Sequence, residues 1–251
     1  MEPYRKKKIV RDRNNTFDET EDILAVEKRL RVYISGEEII SFYCTPALIT
    51  ELLTGFFFTQ GLLNEKLSAG DLNIFFGDEI KVHVVTPSLV PEKGILIRHL
   101  GGISIERIRE FEKVTDQSFI SAGALQVIFS EFQERSELFR LTGCFHSAAI
   151  SDEKEILSFA EDVGRHNAVD KVIGSCILND IPFAQKLLLV SCRISSEIVS
   201  KCLGCGIPFL ASVAAPTDLA VDMAEKHGIT LVGFVKPDRL NIYTNFEKII
   251  R

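Results

Sequence analysis

Glu161-Asp162-Val163-Gly164-Arg165-His166-Asn167-Ala168-Val169-Asp170-Lys171 is the stretch on which the reading of this chain turns. Before it, Ile156 to Ala160 alternates with the period of a strand; after Gly164 the apolar spacing is that of a helix. A strand hands over to a helix inside one polar cluster, which is where α/β proteins tend to form ligand sites. At about 100° per residue, Val169, Val172, Ile173 and Cys176 share a buried face, and Arg165 and His166 continue it. A cation and an imidazole at the first turn of an apolar stripe need a partner, and Arg165 also opposes the helix dipole. A scaffold alternative stands beside the site: Asp162 caps the helix, Arg165 bridges to Glu161 and His166 bonds Asp170.

Outward from this motif, strands and helices alternate. Phe145 to Ile150, Ile156 to Ala160, Leu187 to Val190, 208 to 213 and 229 to 235 read as strands; 194 to 204 and 217 to 227 read as helices. Continuous apolar strands separated by helices predict an α/β domain over 121–251 with a mostly parallel sheet. Upstream, 21–120 reads as a smaller α+β region. Leu30 to Ile34 and Glu38 to Tyr43 form a hairpin around Ser35-Gly36-Glu37, and Leu72 to Phe76 pairs with Ile80 to Val85 across Gly77-Asp78. Between them Thr45-Pro46 predicts a helix start, with Leu48, Leu52, Leu53, Phe56 and Phe57 in the body and Gly61 at the close. Ile95 to Ile97 reads as a short strand, Arg98 to Ser104 as a glycine-hinged loop, 105 to 112 as a short helix and 118 to 134 as a longer one. Residues 1–20, with Arg5-Lys6-Lys7-Lys8, read as a solvated, mobile basic tail.

Composition narrows the function classes. A net charge of −6 gives no electrostatic reason to expect a nucleic-acid partner. No apolar run reaches signal-peptide or membrane-span length, so a cytoplasmic protein is expected. Six cysteines, spread over a chain of 251 residues, are expected as reduced thiols rather than a disulfide framework.

Several further groups admit both a chemical and a structural reading. Thr142-Gly143-Cys144-Phe145-His146 joins a thiol and an imidazole, though a buried cysteine and a structural histidine fit equally. Cys202-Leu203-Gly204-Cys205 has redox or zinc spacing but no second pair, and Ile194, Ile198 and Cys202 share a core face. His83 reads as a sheet histidine. Arg193 and Ser195 after one strand, Thr217 after the next, and Phe234-Val235-Lys236-Pro237-Asp238-Arg239 after the last bring cations and helix starts to strand ends, which suits a phosphate-bearing ligand. Thr217 is equally an ordinary helix cap.

Taken together, Thr142-Gly143 with His146, the motif Glu161 to Lys171, Ser191 to Glu197, Ala215-Pro216-Thr217, and Gly233-Phe234 before Tyr243-Thr244 resemble the formate dehydrogenase accessory sulfurtransferase family, FdhD. Thr45-Pro46 and Thr54-Gly55-Phe56 with Gly61 resemble its N-terminal helix. The resemblance implies a factor that takes sulfur from a cysteine desulfurase and passes it to the bis-molybdopterin guanine dinucleotide molybdenum cofactor before insertion into the formate dehydrogenase apoenzyme. It implies a homodimer with a cytidine-deaminase-like, three-layer C-terminal domain, no membrane and no nucleic acid. A GDP-like fragment would mimic the cargo. The cofactor-binding residues it implies are Gly143, His146, Asp162, Gly164, Arg165, His166, Asn167, Asp170, Arg193, Ser195, Thr217 and Phe234 to Arg239.

Two departures matter. The deaminase metal signature is missing, since no glutamate follows His146 at the expected spacing and no proline precedes Cys202; no catalytic zinc is expected. The family's Cys-x-x-Cys loop corresponds to Arg98 to Ile103, which holds no cysteine. Only a thiol can form a persulfide. Two readings therefore stand: Cys144 or Cys205 substitutes as the sulfur carrier, or the protein carries the cofactor without covalent chemistry.

Overall fold

The computed structural model describes residues 1–63, 66–67, 70–85 and 110–251. The strand expected at Ile95 to Ile97 and the loop at Arg98 to Ser104 lie outside these residues. So does most of the helix expected at 105 to 112, whose described end, 110 to 112, is not helical.

The chain opens with β1 (Tyr4–Arg13) and β2 (Thr16–Ala25), an antiparallel ribbon paired from Tyr4↔Ala25 to Arg13↔Thr16. The stretch read as a solvated tail is thus strand over most of its length, although its side chains remain largely exposed. Opposed charges contribute, as in Arg11 with Asp22 at 3.5 Å, but both are too exposed for more than a few tenths of a kcal/mol each, about the value of a surface pair.

β3 (Lys28–Ile34) and β4 (Glu37–Cys44) form the expected hairpin. With β5 (Leu72–Phe76) and β6 (Ile80–Val84) they make a four-stranded sheet in the order β4-β3-β6-β5. Alternation puts Leu30, Val32, Ile34, Ile80 and Val82 on one face, and that face packs on α1 (Ile49–Thr59) through Leu52, Leu53, Phe56 and Phe57. His83 lies on the other face, stacked on Tyr33 at 4.9 Å. The helix does not begin at Thr45-Pro46. Leu48 takes a left-handed conformation at φ 55°, so the helical turns begin only after it.

After β7 (Ile120–Ser121), α2 (Ala122–Glu134) and the short α3 (Glu137–Thr142) come β8 (His146–Ser151) and β9 (Ile156–Asp162). Then follow α4 (Arg165–Leu178), β10 (Leu187–Val190), α5 (Ser196–Cys205), β11 (Phe209–Ser212), α6 (Asp218–His227), β12 (Thr230–Lys236) and β13 (Arg239–Ile242). A 3-10 turn, Phe246–Lys248, leads to β14 (Ile249–Ile250), which pairs with β7.

The large sheet runs β13-β12-β11-β10-β8-β9. It is mixed, which corrects the mostly parallel expectation: β10 with β11 and β11 with β12 are parallel, and the other three pairings are antiparallel. Parallel pairs occur where a helix makes the crossover; β8–β9 and β12–β13 are joined by turns too short for one. Ala148, Ile150, Leu188, Val190, Leu210 and Leu231 pack with residues of α4, α5 and α6. Ala149, Leu187, Leu189, Phe209, Ala211 and Val232 pack with α2 from the opposite face. No described helix is long and apolar enough to cross a membrane.

The two sheets meet through their helices. α1 crosses α4 at Gly55 and Gly174, where a Cβ on Gly55 would lie 1.9 Å from the Asp170 carbonyl oxygen and one on Gly174 1.8 Å from that of Glu51. Only glycine permits backbones this close.

Candidate functional site at the strand ends

Register shows which residues gather at one edge of the large sheet. His146 pairs with Asp162, Ala148 with Val190, Val190 with Ser212, and Ala211 with Val232. Residues just before β8 and just after β9, β10, β11 and β12 therefore emerge together. That edge receives Gly143, Cys144 and His146 from one side, and Gly164 to His166, Ser191 to Ser195, Thr217 and Phe234 from the others. It is the crevice outside the carboxyl ends of the parallel strands, where open α/β sheets bind ligands.

The start of α4 is held from inside. Asp162, fully buried, accepts from Gly164 N at 2.8 Å and Asn167 Nδ2 at 2.9 Å through Oδ1. Its Oδ2 meets Lys171 Nζ at 2.5 Å and Thr45 N at 3.1 Å. Asn167 Nδ2 also donates to the Tyr43 carbonyl at 2.9 Å. A second buried pair follows, with Lys201 Nζ 2.6 Å from Asp170 Oδ1 and Thr59 Oγ1 3.0 Å from the same atom. Burial pushes the Asp170 carboxyl up against the pull of Lys201 and Thr59.

The scaffold alternative is right that Asp162 is structural, but the contacts differ: Gly164 is the N-cap of α4, no side chain caps the helix, and Asp162 accepts from the Gly164 amide itself. Glu161 does not meet Arg165; it caps α3 by accepting from Leu138 N and Phe139 N, each at 2.9 Å. His166 does not bond Asp170. Its Nε2 lies 3.0 Å from Glu197 Oε2 on α5, a pairing across 31 positions that no local spacing signals.

What remains accessible at the edge is cationic and polar. Arg165, half-buried, is the first residue of α4 and so stands at this edge. Burial, and next Arg165, hold the His146 imidazole below its ordinary value. His146 Nδ1 lies 3.5 Å from Ser191 Oγ, which accepts from Ser147 N at 2.9 Å. Arg193 is exposed. Ser195 Oγ at the start of α5 is buried with no hydrogen-bond partner among the described residues. Phe234 sits at φ 53°, uncommon for a bulky residue, beside an irregularity between Gly233 and Lys236. Backbone strain of this kind concentrates at ligand sites.

Not every residue expected to bind cofactor has free atoms here. Asp162, Asn167 and Asp170 are committed to internal partners, and Val235 is fully buried against the α2 core. Thr217 caps α6 by accepting from Ala220 N at 3.3 Å. Lys236 to Arg239 form the β12–β13 turn, with the Lys236 carbonyl accepting from Gln126 Nε2 at 3.1 Å. Among the described residues no three His, Cys, Asp or Glu side chains are grouped to hold a metal ion.

The cysteines separate cleanly. Cys144 is exposed, Cys205 is half-buried, and Cys44, Cys176, Cys192 and Cys202 are buried. Burial pushes the Cys44 and Cys176 thiols up to about 12 and that of Cys192 to about 11, and raises Cys202 further, so none of these four is a thiolate near neutrality.

Comparison with known proteins bears on this arrangement. The profile of the FdhD/NarQ family matches residues 25–250. The chain belongs to that family. The sulfur carrier protein FdhD of Sulfolobus acidocaldarius is 34% identical over 254 residues, covering 98% of each chain. That of Bacillus subtilis is 33% identical over 245 residues, covering 93% of this chain and 92% of its own. A crystal structure assigned as a formate dehydrogenase accessory protein from Desulfotalea psychrophila superposes with a TM-score of 0.78 at 25% identity, over 99% of this chain and all of that one. The matched residues include the four-stranded sheet, the six-stranded sheet and the strand-end edge of the latter.

Proposed function

We propose that this protein serves formate dehydrogenase maturation in the cytoplasm, as a sulfur carrier that receives the bis-molybdopterin guanine dinucleotide cofactor at the strand-end edge. The observation that carries this is the convergence, in an FdhD-family chain, of five strand ends on Arg165, Arg193, the orphaned Ser195 hydroxyl and the strained Phe234. Cationic side chains and a helix start suit the diphosphate of a guanine nucleotide, and a half-buried aromatic at Phe234 suits its base. The large domain, helices on both faces of a mixed sheet, is read here as cytidine-deaminase-like without its zinc. The donor is a cysteine desulfurase, the recipient a formate dehydrogenase apoenzyme, and the working unit a homodimer.

The sulfur-accepting atom in this reading is Cys144 Sγ. It lies two residues before β8 at the same edge, and among the described residues it is the one exposed thiol. A second reading, carriage without sulfur transfer, is favoured by one observation: the Arg98 to Ile103 segment contains no cysteine. Incubation with a cysteine desulfurase and labelled cysteine, then mass mapping of all six thiols, separates the two. One added sulfur on Cys144 supports transfer. Six unmodified thiols with intact GDP binding support carriage alone.

A further inference from the structure

Thr45 belongs to the N-terminal half, precedes α1 and does not cap it. Its hydroxyl and amide turn instead to the residues that lead into α4, and its carbonyl is shared between Ala47 N at 2.8 Å and a lysine within α4. Its Oγ1 accepts from Val163 N at 3.1 Å, its N donates to Asp162 Oδ2 at 3.1 Å and its carbonyl accepts from Lys171 Nζ at 3.3 Å. The residue is 1% exposed. Each of these partners lies in the turn that leads into Arg165 and His166, or directly beneath it. The neighbouring Tyr43 carbonyl adds a fourth tie through Asn167.

We propose that Thr45 is a positioning residue of the strand-end site: through Val163 and Asp162 it fixes the turn that carries Arg165 at the start of α4. This rests on the strand-end edge being the ligand site. A hydroxyl that only stabilised the fold would be as useful anywhere in the interface. This one holds an amide two residues before the site's central cation, and that amide has no partner within its own turn. The N-terminal layer thereby completes a site whose ligand-facing groups all come from the C-terminal half, so neither half alone presents Arg165 in the same place.

The test compares Thr45→Val, which removes the acceptor at nearly constant shape, with Thr45→Ser, which keeps it. Thr45→Ala, which also removes the hydroxyl acceptor, serves where the valine variant does not fold. The imidazole of His146 is titrated by NMR in the full-length protein, since it feels Arg165 and Asp162 and reports where Arg165 sits without any ligand. The expected result is a His146 titration that moves up toward its ordinary value in Thr45→Val and stays at the wild-type position in Thr45→Ser. GDP, titrated by calorimetry, should bind the valine variant about tenfold more weakly and the serine variant as the wild type. A His146 titration unchanged in a folded valine or alanine variant overturns the proposal. Absence of GDP binding by the wild type would instead remove the proposed ligand, and the His146 titration would still decide whether Thr45 places Arg165.

Discussion

Lys171 Nζ lies 2.5 Å from Asp162 Oδ2, and neither side chain is exposed to solvent. A buried pair of this kind need not stabilise relative to an apolar one, yet removing one partner leaves a bare charge in the interior and costs about 3–5 kcal/mol. Lys171→Met should therefore lower stability by that order, measured as a fall in the denaturation midpoint. Lys171→Met combined with Asp162→Asn should recover part of the loss, because no uncompensated charge remains. A double variant less stable than the single one would contradict this account of the pair.

The glycine crossing of α1 and α4 makes a sharper stability prediction. Gly174→Ala places a methyl 1.8 Å from the Glu51 carbonyl oxygen, a backbone atom that no rotamer can move. The helices must separate, and the loss should reach about 3 kcal/mol, the top of the usual range for overpacking. Gly123→Ala, where a methyl meets nothing, is the control and should leave the urea midpoint unchanged or raise it.

Burial and the Arg165 charge hold His146 below its ordinary value of 6.5. The unfolded chain then takes up the proton more readily than the folded one. The stability this group contributes is fully present above pH 6.5 and is lost as pH falls through the lowered folded value. His146→Gln should flatten that part of the profile. Urea midpoints followed from about pH 7.5 to about pH 5 test it, and parallel profiles for the two proteins would rule it out.

Thiol labelling checks the placement of the sulfur-accepting atom. A brief exposure of the folded protein to an alkylating reagent should modify Cys144 first and leave Cys44, Cys176, Cys192 and Cys202 intact until denaturant is added, since only the first is exposed. Peptide mapping that finds a buried thiol modified as early as Cys144 would contradict that placement.

Much of this architecture is legible in the sequence, and the failures share a physical cause. The handover at Gly164 can be read because both periods, two before it and 3.6 after it, are local. The strand-end loops at Arg193, Thr217 and Phe234 follow the same way. The direction of β8 against β10 cannot be read, because β8 is buried on both faces and such strands look alike in either direction. The N-terminal ribbon hides because most of its positions are exposed and its half-buried ones, Tyr4, Ile9, Arg11, Thr20 and Asp22 to Ala25, include charged residues and keep no clean alternation. Thr45 illustrates the limit most directly. A threonine before a proline has the local chemistry of a helix cap, while its true partner, Val163, lies 118 residues away. Contacts of that range, His166 with Glu197 among them, carry no signature in spacing.

The strand-end edge is proposed to bind the guanine-bearing end of a cofactor, with Arg165 as its principal cation. Calorimetric titration of GDP into the wild type and Arg165→Ala tests it most directly. Saturable binding by the wild type and a loss of about tenfold or more in the variant, with the fold retained, are expected. Equal affinity of the two proteins, or no binding by the wild type, would contradict it.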